Sequence, residues 1–308
     1  MVYFLFFYDM VMTGANVAVA GVFGYLYIRR KDVLHLWIAA LFVLCSLDIT
    51  LMYMLDFVPD FQHTFDSVAK LEPAAYTVLH IAILFAYRLI AGRIGHKEYD
   101  NREAVVWVVC LASAVIGASL PVEPLAVFTE GVSIGLLQLL ITLVAARGVR
   151  NGAAEHSVLG RTKTVALVVA FALCSAGYLV YTAFDFLVGW DGPRNSFVEL
   201  SGAMILVFAL MYLASYRRRD RERATDAISA DIAHRYGLTR REEEILRMLA
   251  EGMSNQEISA AAYIAVGTVK THVHNIYSKL GILGRADIAH FMRTEAAKPP
   301  AGTIFHIR

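Results

Sequence analysis

Residues 237–294 have the sequence GLTRREEEILRMLAEGMSNQEISAAAYIAVGTVKTHVHNIYSKLGILGRADIAHFMRT, which decides the fold of the C-terminal part of the chain. Thr239 stands three residues before Glu242, and Ser254 stands three residues before Glu257. This is the spacing of a capping box, in which the hydroxyl accepts a hydrogen bond from one backbone N–H at a helix start and the carboxylate accepts from another. The two boxes therefore predict two helix starts.

The same stretch predicts where these helices end and where two more lie. An apolar stripe at helical spacing follows the first box until Gly252, and the second helix ends near Ala262. We expect a third helix over Val266–Leu280 and a fourth over residues 285–294. The third helix is polar and cationic on its exposed side. The DNA major groove accommodates such an arrangement, in which two short helices are joined by a tight turn and the second is polar and cationic on its exposed side.

Four motifs in this order carry a resemblance: Leu238-Thr-Arg-Arg-Glu242, Gly252-Met-Ser-Asn-Gln-Glu-Ile258, Thr268-Val-Lys-Thr-His272 and Asn275-Ile-Tyr-Ser-Lys-Leu-Gly281. They resemble the LuxR/NarL-type helix-turn-helix of bacterial transcription regulators, over about the last quarter of the chain. The resemblance implies that Val266–Leu280 is the recognition helix and that residues 285–294 serve dimerisation. Ala262 stands where the family usually has Leu, and Ala265 stands where a Ser would cap the recognition helix, a loss of about 1 kcal/mol.

The residue types of the third helix predict its contacts with double-stranded DNA. We expect phosphate contacts from Lys270, Lys279, Thr268 and His272. We expect base-edge contacts from Thr271, His274 and Lys270. The alternative is that these are ordinary solvated side chains. Val269, Val273 and Ile276 are expected in the core.

The rest of the chain has the composition of a membrane protein. The 308 residues are 57% hydrophobic, and the mean hydropathy is +0.53. Crossing a bilayer takes roughly 20 apolar residues. Seven runs meet this need, at residues 8–28, 34–57, 74–91, 104–120, 125–146, 164–188 and 197–216. The predicted fold class is therefore all-α: a seven-helix transmembrane bundle followed by a four-helix LuxR-type helix-turn-helix domain.

The basic residues between these runs predict the topology. Sixteen lie on one side, counting Arg88 near the end of the third run and the five arginines of residues 217–223 after the seventh, and only Lys70 and Arg194 lie on the other. The positive-inside rule then places the N-terminus outside the cell and the C-terminal domain in the cytoplasm, anchored in the inner membrane. An odd number of spans thus delivers the DNA-binding domain to the compartment that contains DNA.

A short internal similarity suggests a repeat. Phe42-Val-Leu-Cys-Ser46 aligns without gaps with Phe171-Ala-Leu-Cys-Ser175. This indicates a possible three-plus-one-plus-three arrangement of parallel repeats, such as occurs among transporters. Chance similarity between two apolar helices is the alternative.

The domain boundaries follow from the change in composition. We expect a transmembrane sensor domain over residues 1–216, a juxtamembrane linker helix over 217–236, the DNA-binding domain over 237–294 and a flexible tail over 295–308. Ala224, Ile228, Ile232 and Tyr236 recur four apart in the linker. This face either pairs between protomers or belongs to a solvated segment beside anionic lipid.

Ionisable residues inside the spans predict a ligand site, because charges in a bilayer are costly. The candidates are Asp48, His80, Glu130 and Asp185, a largely acidic set that suits a cation, an amine or a proton. The structural alternative is that they lie at the water interface or bond to the backbone. No spacing supports a metal site, the three cysteines form no disulfide framework, and we expect no cofactor.

Three hypotheses about function follow. The favoured one is a one-component membrane-bound transcription regulator that senses a small ligand, a cation or a membrane state and binds promoter DNA as a homodimer. The second is a transporter or channel-like protein with a regulatory DNA-binding tail. The third is a membrane scaffold whose tail meets protein only. No nucleotide-binding loop or zinc-protease motif is present, so we do not expect an enzyme.

Overall fold

The computed structural model describes residues 2–58, 60, 72–95, 100–118, 123–152, 155, 157–188 and 194–297. Within these ranges the chain forms eleven helices of more than one turn and no strand, which confirms the all-α prediction for this part. The first seven are α1 (Val2–Arg30), α2 (Val33–Phe57), α3 (Glu72–Ile94), α4 (Asn101–Ala118), α5 (Glu123–Arg150), α6 (Gly160–Val188) and α7 (Arg194–Tyr236). The last four are α8 (Arg240–Ala250), α9 (Asn255–Ala262), α10 (Val266–Leu280) and α11 (Arg285–Ala296).

The chain divides into two compact units, Met1–Ala214 and Ser215–Arg308. In the first unit α1 packs on α2, α2 on α3, α3 on α4 and α5, α4 on α5, and α5 on α6. In the second, α10 packs on α8 and α9, and α8 also contacts α9 and α11.

Five helices of the first unit are long and apolar enough to cross a bilayer. Their apolar segments are Phe6–Arg30, Val33–Met54, Thr77–Ile94, Phe128–Arg150 and Gly160–Phe184. α4 and α7 occupy the other two predicted spans, but their described residues do not meet the same length and composition. Seven crossings therefore stay a prediction, and so does the three-plus-one-plus-three repeat.

The surface of the first unit is strongly apolar. Val105, Val108 and Val109 on α4 are 62%, 64% and 59% exposed, and Leu173 on α6 is 68% exposed. In contrast, the polar residue Asn16 is buried inside the unit and only 2% exposed. Continuous apolar surface of this kind marks a membrane or protein interface, because it is unfavourable in water.

Arg88 corrects the count of basic residues on the predicted cytoplasmic side. Its guanidinium is buried between α3 and α4, where Nη2 lies 2.5 Å and Nε 2.7 Å from Glu103 Oε2. Arg88 therefore neutralises a buried acid and does not belong to a solvated connection. Fifteen of the sixteen basic residues stay in the count against two, so the direction of the bias is unchanged.

The predicted linker helix is part of the core of the second unit. Ile232 is fully buried in the cluster that contains Ile245, Leu246 and Ile276, and Ile228 and Tyr236 pack against that cluster. This apolar face is therefore used within the unit and is not available for pairing between protomers. The boundary with the tail also differs from the prediction, because α11 extends to Ala296 and Glu295 is 3% exposed.

Candidate nucleic-acid interface

The two predicted capping boxes fix the starts of α8 and α9. The Thr239 backbone N–H donates to Glu242 Oε2 at 2.8 Å, and the Glu242 N–H donates to Thr239 Oγ1 at 3.3 Å. At α9 the Ser254 N–H donates to Glu257 Oε2 at 2.7 Å. Both boxes are complete, as predicted.

The turn between α9 and α10 is held by side chains of the preceding helices. Tyr263 ends α9 in the left-handed region, with φ of 54°, and its side chain is 95% exposed. Ser259 Oγ donates to the Ile264 carbonyl at 2.5 Å, and Arg241 Nη2 donates to the Ala262 carbonyl at 2.5 Å. Ala265 supplies no side-chain cap to α10, as its residue type predicted. These bonds hold the entry to α10 without that cap.

One face of α10 is buried, and this orients the rest of the helix. Val269 and Ile276 are fully buried, Val273 is 8% exposed and Leu280 5% exposed. The predicted core positions Val269, Val273 and Ile276 are thus confirmed. Since successive residues of a helix turn by about 100°, the solvent-facing side is centred on Thr271 and on the residue seven further on, Ser278.

The exposed side of α10 brings most of the predicted DNA-contact residues together. Thr271 and His274 lie near its centre, Lys270 lies on one border, and Thr268, His272 and Lys279 lie toward the other. All of these are exposed except His272, which is half-buried. The arrangement offers a short polar strip between cationic borders, which suits a groove floor between two phosphate chains.

Asn275 and Ser278 are not among the contact residues that the sequence predicts. Both are exposed and lie on the same central strip. An Asn side chain can form two hydrogen bonds to adenine in the major groove. The signal that would have found them is the position of the buried stripe, since residues opposite Val269 and Ile276 face outward whatever their type.

Lys279 makes contacts within the unit that the sequence does not indicate. Its Nζ lies 2.6 Å from Glu242 Oε2 and donates to the Gly237 carbonyl at 3.0 Å. Burial alone would raise the pKa of Glu242, but hydrogen bonds from Lys279 and from the Thr239 amide and hydroxyl outweigh it, and the net pKa is lowered. Lys279 therefore links the end of α10 to the start of α8.

The predicted ligand residues of the first unit have different environments. Asp48 on α2 is 5% exposed, and His80 on α3 is half-buried. Glu130 on α5 accepts a hydrogen bond from Thr77 Oγ1 at 3.2 Å. The side chain of Asp185 lies outside the described residues. Among the described residues, no three His, Cys, Asp or Glu side chains form a group that could hold a metal ion.

This geometry defines the class of the second unit: a helix-turn-helix module in which one side of α10 is exposed and polar. Residues 236–292 match the family model described as bacterial regulatory proteins, luxR family. The C-terminal module is thus a luxR-family helix-turn-helix domain.

Two curated relatives resemble the chain over a short length. Over 56 residues the chain is 50% identical to the uncharacterized transcriptional regulatory protein YhcZ of Bacillus subtilis, covering 18% of this chain and 26% of that protein. Over 48 residues it is 58% identical to the response regulator protein VraR of Staphylococcus aureus, covering 16% of this chain and 23% of that protein. The match thus spans about a quarter of these relatives. No solved structure matches the chain significantly.

Proposed function

We propose that this protein is a membrane-bound one-component transcription regulator. The first unit is embedded in the cell inner membrane, with the N-terminus outside, and responds to a small ligand or to a membrane state. The second unit lies in the cytoplasm and binds promoter DNA as a homodimer. The observation that carries this proposal is that one chain combines long apolar helices with a luxR-family module.

Two features support the membrane placement. Five helices of the first unit are long and apolar enough to cross a bilayer, and the basic residues of the connections lie almost all on the predicted cytoplasmic side. α7 then runs as one helix from Arg194 to Tyr236, so its last turns belong to the DNA-binding unit. A reporter enzyme fused after Arg308 that is active only outside the cell would overturn this topology.

The exposed strip of α10 supports DNA binding. Thr271 and His274 are the proposed base contacts, joined by Asn275 and Ser278. Lys270 is a proposed phosphate and base contact, and Thr268, His272 and Lys279 are further phosphate contacts. A dimer with two-fold symmetry needs half-sites about one helical turn of DNA apart. The dimer contact is proposed at α11, next to which Leu283 is fully exposed.

The substitution His274→Ala tests this interface. We expect a changed base preference at one position of the binding site, at a cost of about 1–3 kcal/mol, because one base-edge contact is lost. The measurement is selection of binding sites from a random DNA library by the full chain in lipid nanodiscs. His234→Ala, an exposed histidine on α7, is the matched control. A uniform loss of affinity for all sequences would show that His274 does not contact a base.

A transporter with a regulatory tail is the second candidate. Ser46 Oγ donates to the Phe42 carbonyl and Ser175 Oγ to the Phe171 carbonyl, both at 2.8 Å, so the repeated motif has the same local geometry in α2 and α6. Uptake of a labelled substrate into proteoliposomes by residues 1–216 would favour this candidate. A complete absence of DNA binding at low salt would instead favour a scaffold whose tail binds protein.

A further inference from the structure

An apolar cavity of about 140 Å³ lies inside the first unit, among α1, α2, α3, α5, α6 and α7. Aromatic side chains from five of these helices form much of its wall. They are Phe23, Phe42, Tyr87, Phe171, Phe208 and Tyr212. The cavity is therefore a feature of the bundle as a whole and not a gap between two neighbouring helices.

The chemistry of the wall selects an uncharged occupant. No charged side chain of the described residues lines the cavity, and hydroxyls come only from Tyr87, Thr164 and Tyr212. Thr164 Oγ1 donates to the Gly160 carbonyl at 2.8 Å, and the Tyr212 hydroxyl lies 3.3 Å from His35 Nε2. Because two of the three hydroxyls already have partners, a polar or ionic ligand would lose more hydration than the wall can replace.

This cavity is therefore different from the acidic ligand site that the sequence predicts. Asp48, His80 and Glu130 do not line it. A cation or amine would find no carboxylate among the described residues of the wall. The size instead is close to that of an engineered apolar cavity of roughly 150 Å³, lined by Leu, Ile and Phe, that binds benzene.

One wall of the cavity belongs to the helix that continues into the DNA-binding unit. Four residues of α7 line it and share one face of that helix. They are Ile205 and the residues three, four and seven positions after it, Phe208, Ala209 and Tyr212. Near one end, α3 and α5 come unusually close, since a Cβ on Gly148 would lie 2.7 Å from Gly95 Cα. That close approach leaves no room for a larger side chain at either glycine, so the wall is closely packed at this end.

We propose that this cavity is a binding site for a small, uncharged apolar molecule of about benzene size, which enters from the bilayer. Its occupancy fills the space against the Phe208 and Tyr212 face of α7. Entry from the bilayer and the consequence for transcription rest on the proposed function, whereas binding in the cavity does not.

The test uses the full chain in lipid nanodiscs, with fluorobenzene as the probe and ¹⁹F NMR as the readout. We expect a bound resonance that saturates with probe concentration and disappears on addition of excess benzene. Ala209→Leu fills the cavity from α7 and should abolish this resonance. Ala214→Leu adds the same volume to an exposed position of the same helix and should preserve it.

Ala145→Leu fills the cavity from α5 and is a second, independent variant in case Ala209→Leu does not fold. The proposed site would be contradicted if the wild-type resonance did not saturate. It would also be contradicted if both cavity-filling variants gave a bound resonance equal to that of the wild type. Promoter occupancy is measured separately, with and without benzene. If the resonance saturates but benzene does not change promoter occupancy, the binding site is confirmed and the proposed sensory function is contradicted.

Discussion

Each of the two units buries a glutamate against a cation, and the two pairs differ in how far the cation is removed from solvent. In the first unit the Arg88 and Glu103 side chains are 1% and 8% exposed, and two guanidinium nitrogens approach one carboxylate oxygen. In the second unit Glu242 is 5% exposed, but Lys279 is 35% exposed. The carboxylates are equally buried, whereas the cations are not.

The difference shows what each pair does. Arginine keeps its charge in any protein environment and is weakly hydrated, so it suits a site between apolar helices. Lysine carries a compact, strongly hydrated charge, and Lys279 keeps part of that hydration while it holds Glu242 and the Gly237 carbonyl. Removing one partner should therefore cost more at Arg88 than at Lys279.

Arg88→Met is expected to have the largest effect. It leaves Glu103 buried without its guanidinium partner, and breaking such a pair costs about 3–5 kcal/mol. The measurement is the free energy of unfolding of the full chain in a mixed micelle with denaturant. Arg93→Met is the control, because Arg93 is 60% exposed and lies 3.9 Å from Asp32, a pair worth about 0–1 kcal/mol. Equal losses in the two variants would contradict the comparison.

The double variant Arg88→Met with Glu103→Leu sharpens this result. Replacing both partners by apolar residues also removes the buried carboxylate that Arg88→Met leaves without its guanidinium, so much of the lost stability should return. If the double variant is as unstable as Arg88→Met, the pair is needed for packing and not for charge neutralisation.

Lys279→Met is expected to have a smaller effect on the second unit. Glu242 keeps the Thr239 amide and hydroxyl as donors, so the loss should be about 1–3 kcal/mol. Hydrogen exchange of residues 266–280 in the full chain measures it. Lys270→Met on the same helix is the control, since Lys270 is exposed and its charge has no acidic partner in the part of the chain that the structure describes. Similar exchange in both variants would mean that the ion pair does not stabilise α10.

The pH dependence of the same pair has a definite sign. The folded pKa of Glu242 is lowered, so its contribution is fully present above the unfolded pKa of about 4.3 and is lost as pH falls toward the folded value. Glu242→Gln should therefore narrow the stability difference between neutral and acidic pH, as followed by thermal unfolding. Glu257, whose pKa is also lowered, contributes in the same direction and is unchanged in this variant. An unchanged pH profile would contradict the assignment.

Lys270→Ala should have the smallest effect and act on DNA binding alone. If Lys270 contacts a phosphate, the slope of log affinity against log salt should fall by about one, while hydrogen exchange of α10 stays as in the wild type. Comparison with Lys279→Ala separates a phosphate contact from a structural one. A variant that changes exchange but not the salt slope has lost only the internal ion pair.

The C-terminal module was largely predictable because its signals are local. Thr239 and Glu242, like Ser254 and Glu257, are three residues apart, so each box forms as its helix begins. The stripe of Val269, Val273 and Ile276 likewise follows from helical spacing alone. The partner of Lys279 was not predictable in the same way, because it lies 37 residues away along the chain.

The first unit was predictable in helix type and only partly in detail. Hydropathy identifies apolar runs, but it does not say which polar residues face inward. The sequence predicts Arg88 at a solvated connection, whereas the structure places it against Glu103, fifteen residues further on. The acidic ligand set was inferred from depth in the bilayer, whereas the cavity has a wall of aromatic and aliphatic side chains.

The sequence by itself determined the helices, the starts of α8 and α9, the buried stripe of α10 and the family of the C-terminal module. These depend on residues within one or two helical turns of each other, whose spacing is fixed by the chain. The tertiary structure decided the partners of Arg88 and Lys279, the burial of Ile232 against the module and the position of the apolar cavity. Those depend on which helix faces meet, and sequence spacing alone does not specify how distant segments pack.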